Sequence, residues 1–248
     1  MTFSYRQRGP ERDLSQIIDA YWINECGSAP GERNDRVLPD GCIDLVFVNH
    51  DDPERSRLFS SPLIERPTIL APTSGRWFVG VRMRPAMSQV VLAVAPHECR
   101  DRAIDAVQID KTLVLVEEQL MGCATPSEAL AVLRRHVDHR ARTNPQRIPP
   151  ARVRASLRLL SNGPPWLNPH EVASAVGVSP RTLYRDLVSW TGHAPKVLAR
   201  ISRMHRALEH LRLGQRTLAE IACDSGFADQ PHMTRELRQL TGLPPSEL

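Results

Sequence analysis

Two groups of polar side chains in the last third of the chain have the chemistry to bind a nucleic acid. Arginine can donate two hydrogen bonds to the edge of guanine, and glutamine can pair with adenine. The groups are offset by about fifty residues, as the repeat period of a duplicated unit would require; they are Arg181, Thr182, Tyr184 and Arg185 in the first, and Gln230, Thr234 and Arg235 in the second. The simpler interpretation of either group is a solvated helix face.

Five cysteines offer a second kind of chemistry, because thiolates bind metals and act as nucleophiles. They are Cys26, Cys42, Cys99, Cys123 and Cys223. An odd number with no Cys-x-x-Cys pair fits neither a disulfide framework nor the closely spaced ligand pairs of most zinc sites. We expect reduced, mostly buried thiols, with no metal and no cofactor.

The first half of the chain contains acidic and basic residues that could form a ligand site. Asp44, Arg82 and Arg84 could line a pocket in which the arginines meet an anionic effector, although a structural ion pair is at least as good an interpretation. Asp40 lies in Pro39-Asp-Gly, which is typical of a turn. We find no phosphate-binding glycine loop, metalloprotease motif or nucleophile elbow, so the sequence gives no positive support for an enzyme.

The elements that would position the two polar groups form an internal repeat. Glu171, Ala173 and Gly177 recur 49 residues later, and Leu187 and Pro195 recur 50 residues later. Each copy predicts a helix, a tight turn at glycine and a second helix. The predicted helix starts are Asn168 with Glu171, Ser179 before Pro180, Thr217 with Glu220, and Asp229.

Helical spacing of apolar residues predicts how the copies pack. The second helices would bury one face each, formed by Leu183, Leu187 and Trp190 and by Met233, Leu237 and Leu240. A linking helix is predicted from Pro195 to Leu213, ended by Gly214, and a short helix from Ala151 to Leu160. Arg200, Arg203 and Arg206 on the linking helix are expected to be salt-bridged or solvated rather than bound to DNA.

The sequence before residue 143 predicts a different architecture, and the fold class is therefore α+β. Strands are expected at Tyr21-Trp-Ile, Cys42 to Val48, Thr68-Ile-Leu and Trp77 to Met83, forming a small sheet or barrel. Residues 86 to 142 read as helical; within them Leu113, Val116 and Leu120 predict a core helix, or otherwise a dimer seam. We predict an N-terminal domain at 1–142, a proline-bearing linker at 143–150 and an all-α domain at 151–248 that folds alone.

The duplicated region resembles the C-terminal DNA-binding domain of the AraC/XylS family of bacterial transcription regulators. The resemblance covers about residues 152–248, and two departures are aliphatic residues at core positions and a chain end at Leu248. The segments that carry it are Val172-Ala173, Gly177-Val-Ser-Pro-Arg-Thr-Leu-Tyr-Arg, Thr191-Gly192, Pro195, Ile221-Ala222, Gly226-Phe-Ala-Asp-Gln-Pro-His-Met-Thr-Arg-Glu and Thr241-Gly-Leu-Pro-Pro.

The resemblance implies a sequence-specific regulator whose two recognition helices enter successive major grooves of double-stranded DNA. Leu38-Pro-Asp-Gly-Cys-Ile-Asp-Leu-Val-Phe and Val79-Gly-Val-Arg-Met-Arg-Pro resemble an uncharacterised sensor-type domain. That resemblance implies a small cupin-like β-barrel domain, followed by helices, which binds an effector or a second protomer. Partners would be DNA, a small-molecule effector, RNA polymerase and a second copy of the chain.

The alternative function is that of a DNA-repair methyl-acceptor protein, which joins the same DNA-binding module to a reactive cysteine. Charge favours the regulator, because residues 151–248 carry 13 basic and 8 acidic side chains, whereas the first 150 residues are nearly neutral. No apolar run is long enough for a membrane helix and the N-terminus lacks a signal-peptide core, so we expect a cytoplasmic protein without a membrane partner.

Overall fold

The computed structural model describes residues 4–25, 35–50, 52–70, 76–144 and 147–248. These residues fall into two compact units. The first lies within residues 1–35, 42–63 and 70–148, and the second comprises residues 36–41, 64–69 and 149–248. Cys26 and residues 145–146 of the predicted linker lie outside the described residues. The predicted domain boundaries stay a prediction, and the second unit contains two short segments of the N-terminal half.

The first unit is built on a six-stranded antiparallel sheet. Its strands are paired in the order β1-β2-β7-β4-β5-β8, and β3 pairs with β6 in a separate two-stranded sheet. The strands are β1 (Ser4–Arg8), β2 (Ile18–Glu25), β3 (Asp35–Val37), β4 (Ile43–Asn49), β5 (Arg57–Ser60), β6 (Thr68–Leu70), β7 (Trp77–Met83) and β8 (Ile104–Asp105). All four predicted strands are present, and the predicted limits of β7 match the observed ones.

Burial follows the position of each strand in the sheet. Every residue of β4 from Ile43 to Val48 is buried, which explains the apolar run from Leu45 to Val48, since both faces of this strand are covered. By contrast, all five residues of the edge strand β1 are exposed. The sheet side chains of β2, β4 and β7 join those of the following helices in one hydrophobic core.

Helices follow the sheet, but in shorter pieces than predicted. They are α1 (Ser88–Val91), α2 (Ala106–Ile109), α3 (Leu113–Met121) and α4 (Pro126–Thr143). Residues 104–105 are a strand rather than a helix, because they pair with Phe59 and Ser60. Leu113, Val116 and Leu120 are buried in the core, so the core-helix interpretation of this segment is confirmed.

Helix α4 is fixed to the sheet by a polar cluster as well as by apolar packing. The buried hydroxyl of Tyr21 donates a hydrogen bond to Asp138, and the guanidinium of Arg134 lies 5.1 Å from the centre of the Tyr21 ring. Burial and the neighbouring carboxylate raise the pKa of Tyr21, which keeps the hydroxyl protonated as a donor. This cluster fixes the position of α4 on β2.

The second unit contains six helices, in which the predicted repeat is confirmed. They are α5 (Ala151–Asn162), α6 (Pro169–Ala175), α7 (Pro180–Thr191), α8 (Pro195–Leu213), α9 (Leu218–Asp224) and α10 (Gln230–Thr241). The linking helix α8 has the predicted limits and ends at Gly214, whose φ is +62°. Within the described residues, no helix has the length and apolar character needed to cross a membrane.

The predicted caps start the four short helices of the repeat. Asn168 with Glu171 and Thr217 with Glu220 form complete capping boxes at α6 and α9. The side chain of Ser179 accepts a hydrogen bond from the amide of Thr182, and Asp229 accepts one from His232. These bonds satisfy amides that a helix start leaves open.

Apolar faces hold the repeat together as the helical spacing predicts. Leu183 and Leu187 are buried, and Met233, Leu237 and Leu240 form a core with Met204 of α8 and Phe227. Trp190 is only half-buried, which differs from the prediction.

The two turn glycines provide a test of this packing. Gly177 and Gly226 have φ values of +69° and +82°, so alanine at either position should cost about 1–2 kcal/mol in backbone strain. A Cβ atom at Gly226 would lie 2.1 Å from the carbonyl oxygen of Pro165, whereas one at Gly177 would meet nothing within 4 Å. We expect Gly226→Ala to lose roughly 1–3 kcal/mol more unfolding free energy than Gly177→Ala. Urea denaturation measures both values, and equal losses would contradict the packing of Pro165 on Gly226.

Candidate nucleic-acid interface

The outward faces of α7 and α10 carry the basic side chains predicted to bind DNA. Arg181, Tyr184 and Arg185 are exposed on α7, and Gln230 and Arg235 are exposed on α10. Within the described part of the chain, the guanidinium groups of Arg181, Arg185 and Arg235 have neither a hydrogen bond nor an ion pair. The structure therefore places these arginines where their donors are free for an external acceptor.

The two threonines of the predicted set are half-buried and already bonded locally. The hydroxyl of Thr182 lies 2.9 Å from that of Ser179, and the hydroxyl of Thr234 donates to the carbonyl oxygen of Gln230 at 3.0 Å. These contacts belong to the first turns of α7 and α10. The role of all seven residues in DNA binding stays a prediction.

Two further exposed side chains of the second unit were left out of the predicted set. Arg238 lies one turn beyond Arg235 on α10, is exposed and has no ion pair among the described residues. Helical spacing was the signal that could have added it. Trp166 is 73% exposed in the loop between α5 and α6. No local sequence pattern marks Trp166 as exposed.

The arginines of the linking helix have structural roles. Arg200 forms an ion pair with Glu236 of α10 at 2.7 Å, which is one of the two states expected for it. Arg206 instead donates to the carbonyl oxygens of Ser161 and Gly163 at 2.8 Å, beside the end of α5. Arg206 is therefore bound within the protein rather than solvated, and it supplies a donor at the end of α5, where helix geometry leaves carbonyl oxygens without one.

Arg203 is the most buried of the three and packs against an aromatic ring. Its guanidinium lies 5.6 Å from the centre of the Phe227 ring, a distance at which a cation–π interaction is favourable. Burial lowers the pKa of both Arg203 and Arg206, since desolvation disfavours the charged form. Arg200, Arg203 and Arg206 of the linking helix thus hold the unit together, whereas Arg181, Arg185 and Arg235 on α7 and α10 have no internal partner among the described residues.

The described cysteines do not form a metal site. No group of three or more histidine, cysteine or acidic side chains among the described residues is arranged to hold a metal ion. Cys99 is buried 3.6 Å from the hydroxyl of Ser60, and burial raises the pKa of the thiols of Cys99 and Cys123. A raised pKa keeps these thiols protonated, which is the reverse of what a methyl-accepting nucleophile needs.

The predicted effector residues do not come together as a set. Asp44 and Arg82 face each other across β4 and β7 and form an ion pair at 3.4 Å, while the indole of Trp22 donates to Asp44 at 2.8 Å. Arg84 lies elsewhere, paired with Asp19 at 3.2 Å. A role in effector binding stays a prediction for all three.

A cavity in the first unit lies apart from that ion pair, between β1, β2 and α4. Its volume is about 400 Å³, within the usual range for a small-molecule site. Its lining is mixed, with three arginines, other polar groups and several apolar side chains: Arg6, Gln7, Arg8, Tyr21, Ile23, Ser127, Leu130, Ala131 and Arg134.

Both halves of the chain match models of known domain families. Residues 172–248 match a family described as a helix-turn-helix domain, and residues 6–105 match a domain of unknown function called DUF6597. A comparison with curated proteins gave no match.

Solved structures with similarity to this chain include three bacterial proteins. A regulator with an AraC-type DNA-binding domain from Chromobacterium violaceum is 25% identical over 39% of this chain and 87% of that one, with a TM-score of 0.37. The C-terminal domain of AraT, a response regulator from Geobacillus stearothermophilus, is 24% identical over 40% and 83%, with a TM-score of 0.38. ToxT from Vibrio cholerae, bound to an unsaturated fatty acid, is 12% identical over 92% and 94%, with a TM-score of 0.43.

The duplicated helix-turn-helix fold and its family match define a DNA-binding regulator of transcription. The C-terminal region is an AraC-type helix-turn-helix domain, and a DUF6597 domain precedes it. The α+β fold class predicted from the sequence is confirmed: an antiparallel sheet with following helices precedes an all-helical region.

Proposed function

We propose that this chain is a sequence-specific regulator that reads two successive major grooves and is modulated by an effector bound to its N-terminal unit. The observation that carries the DNA-reading part is the pair of matching helices α7 and α10, which expose arginines without internal partners. Second helices of helix-turn-helix motifs enter the major groove, where arginine can bind guanine. No enzymatic step is part of the proposal. Contacts with RNA polymerase and homodimerisation stay predictions.

The positions of α7 and α10 along α8 support the proposal that both helices bind DNA at the same time. The linking helix has 19 residues and packs against both α7 and α10. At 1.5 Å per residue it is about 28 Å long, close to the roughly 34 Å that separates successive grooves on one face of DNA. The basic surplus of residues 151–248 supplies attraction to phosphates independently of sequence.

Removal of single free arginines should weaken specific binding while leaving the fold intact. We expect Arg181→Ala, Arg185→Ala and Arg235→Ala each to lose about 1–3 kcal/mol of binding free energy to an operator selected from random DNA, since each loses a base contact. Arg158→Ala is the matched control, because Arg158 is exposed on α5, outside the two reading helices. Titration of labelled operator at constant salt measures the affinities, and circular dichroism checks the fold. Parent-like binding by all three variants would contradict the assignment of these faces.

The two-groove proposal predicts a strict dependence on the distance between half-sites. An insertion of about 5 base pairs between them turns the second half-site to the opposite face of the DNA. We expect affinity to fall to that of an isolated half-site, because both reading helices are packed in one unit and cannot reach half-sites on opposite faces of the DNA. An insertion of about 10 base pairs should be no better, since it doubles the separation. Unchanged affinity after the 5-base-pair insertion would mean that only one helix reads the site.

The effector part of the proposal is supported by the cavity between β1, β2 and α4. Arg8 lines it and has no ion pair among the described residues, whereas Arg134 is paired with Glu11 at 2.8 Å. One arginine free to bind an acid, next to apolar Ile23 and Leu130, suits a small anionic molecule with an apolar part. Asp44 and Arg82 already neutralise each other, so the cavity is the better-supported place for an effector.

Filling the cavity should abolish any effector response without damage to the core. Ala131 is exposed at the cavity wall, so Ala131→Phe adds volume there, and Ala131→Ser serves as a control that leaves the cavity open. We expect fractions of a cell metabolite extract to shift the operator affinity of full-length parent and Ala131→Ser, but not of Ala131→Phe, by linkage between the two sites. An equal response from Ala131→Phe would place the effector elsewhere. No response from the parent to any fraction would contradict a sensing role.

A further inference from the structure

Two short segments of the N-terminal half are part of the DNA-binding unit. They are residues 36–41 and 64–69, which cluster with residues 149–248. Strands β3 and β6, which pair with each other, run through them and join the two segments. We call the two segments together the brace. It contacts the helical region at three separate places.

The first contact is at the end of the second recognition helix. Arg36 donates a hydrogen bond from Nη1 to the carbonyl oxygen of Thr241, the last residue of α10, at 3.0 Å. Carbonyl oxygens in the last turn of a helix have no partner within the helix, and the helix dipole makes this end negative. A cationic donor at this point therefore stabilises the end of α10. Leu38 adds apolar contact with the core formed by α8, α9 and α10.

The second contact is at the end of the first recognition helix. Nδ1 of His193 lies 3.2 Å from Oε1 of Glu65, and the His193 side chain is fully buried. His193 follows the Thr191-Gly192 turn that ends α7. The third contact is on the linking helix, where Nε2 of His205 donates to the carbonyl oxygen of Pro39 at 2.9 Å.

The first two contacts fall on equivalent positions of the internal repeat. In both copies a threonine hydroxyl makes the same two hydrogen bonds at the end of the recognition helix. The hydroxyl of Thr191 donates to the carbonyl oxygen of Leu187 and accepts from the amide of His193. The hydroxyl of Thr241 donates to the carbonyl oxygen of Leu237 and accepts from the amide of Leu243. The brace thus contacts both copies at the same turn, where each recognition helix ends. A single element bound to both turns fixes the distance between them.

We propose that the brace positions the two recognition helices relative to each other, with Arg36 and Glu65 as its positioning residues. Neither side chain is on the outward faces of α7 and α10, so both act through the helices and not on DNA directly. The proposal rests on the two-groove reading proposed above. It adds that the spacing accepted between half-sites depends on a part of the chain that lies outside the helix-turn-helix repeat.

The test compares the double variant Arg36→Met, Glu65→Leu with the parent, in the full-length chain. Arg66→Met is the matched control, because Arg66 is an exposed arginine of the same segment with no ion pair among the described residues. A third variant, Arg36→Lys, keeps a cationic donor and should restore parent behaviour at α10.

Hydrogen exchange without DNA shows whether the brace is docked in solution. In the double variant we expect faster exchange at the amides of residues 191–193 and 239–243 than in the parent and the Arg66→Met control. These amides lie at the two turns that the brace contacts. Equal exchange in the double variant and the control would overturn the brace, whatever the mode of DNA reading.

DNA binding shows whether a docked brace positions the helices. Operators with half-site separations changed by one or two base pairs are titrated with each protein. For the double variant we expect about tenfold weaker binding to the optimal operator, unchanged binding to an isolated half-site, and a flatter dependence on separation, because its helices are no longer held at one distance. If the double variant shows faster hydrogen exchange but the same dependence of affinity on half-site separation as the parent, the brace is only a structural contact and the positioning role is overturned. If the affinity of the parent protein does not depend on half-site separation, the two-groove proposal is refuted and the positioning role with it. The hydrogen-exchange result would still decide whether the brace docks.

Discussion

The packing of one helix against all the others is the constraint on which the DNA-binding unit depends. Helix α8 contacts α5, α6, α7, α9 and α10, and it buries Leu198, Ile201, Met204 and Ala207 among them. Because a helix is stiff over 19 residues, apolar burial along α8 fixes both helix-turn-helix motifs to one axis. The ion pair of Arg200 with Glu236 and the bonds of Arg206 to the end of α5 hold neighbouring elements on the same helix.

This constraint separates two uses of arginine in one small domain. On α8, Arg203 packs against the Phe227 ring, Arg206 donates to carbonyl oxygens and Arg200 pairs with Glu236, so these three guanidinium groups make internal contacts. Arginines on the outward faces of α7 and α10 have no such partners among the described residues. The same residue type thus stabilises the domain on one helix and is available to DNA on two others, and burial alone makes the difference.

The N-terminal half contributes to both units. Its sheet and helices bury one core, and a polar cluster of Tyr21, Asp138 and Arg134 fixes α4 on β2 beside the cavity. Its segments 36–41 and 64–69 belong instead to the helical unit. A domain boundary at residue 150 therefore does not match the compact units, because the second unit includes two segments that precede it in the sequence.

Local sequence by itself determined the repeat, the limits of α8, the helix caps and the strands β4 and β7. These features depend on interactions within a few residues, such as the Thr217 and Glu220 capping box, or on apolar periodicity that is visible along the chain.

Tertiary structure decided which charged side chains have internal partners. The sequence separated Arg200, Arg203 and Arg206 from Arg181 and Arg185, but it did not identify the internal partners of the first three, which are Glu236, Phe227 and the end of α5. Tertiary structure also decided that Asp44 pairs with Arg82 and not with Arg84, and that Arg36 and Glu65 pack with helices more than a hundred residues away. Such contacts join residues that are distant along the chain, and no short-range pattern encodes them.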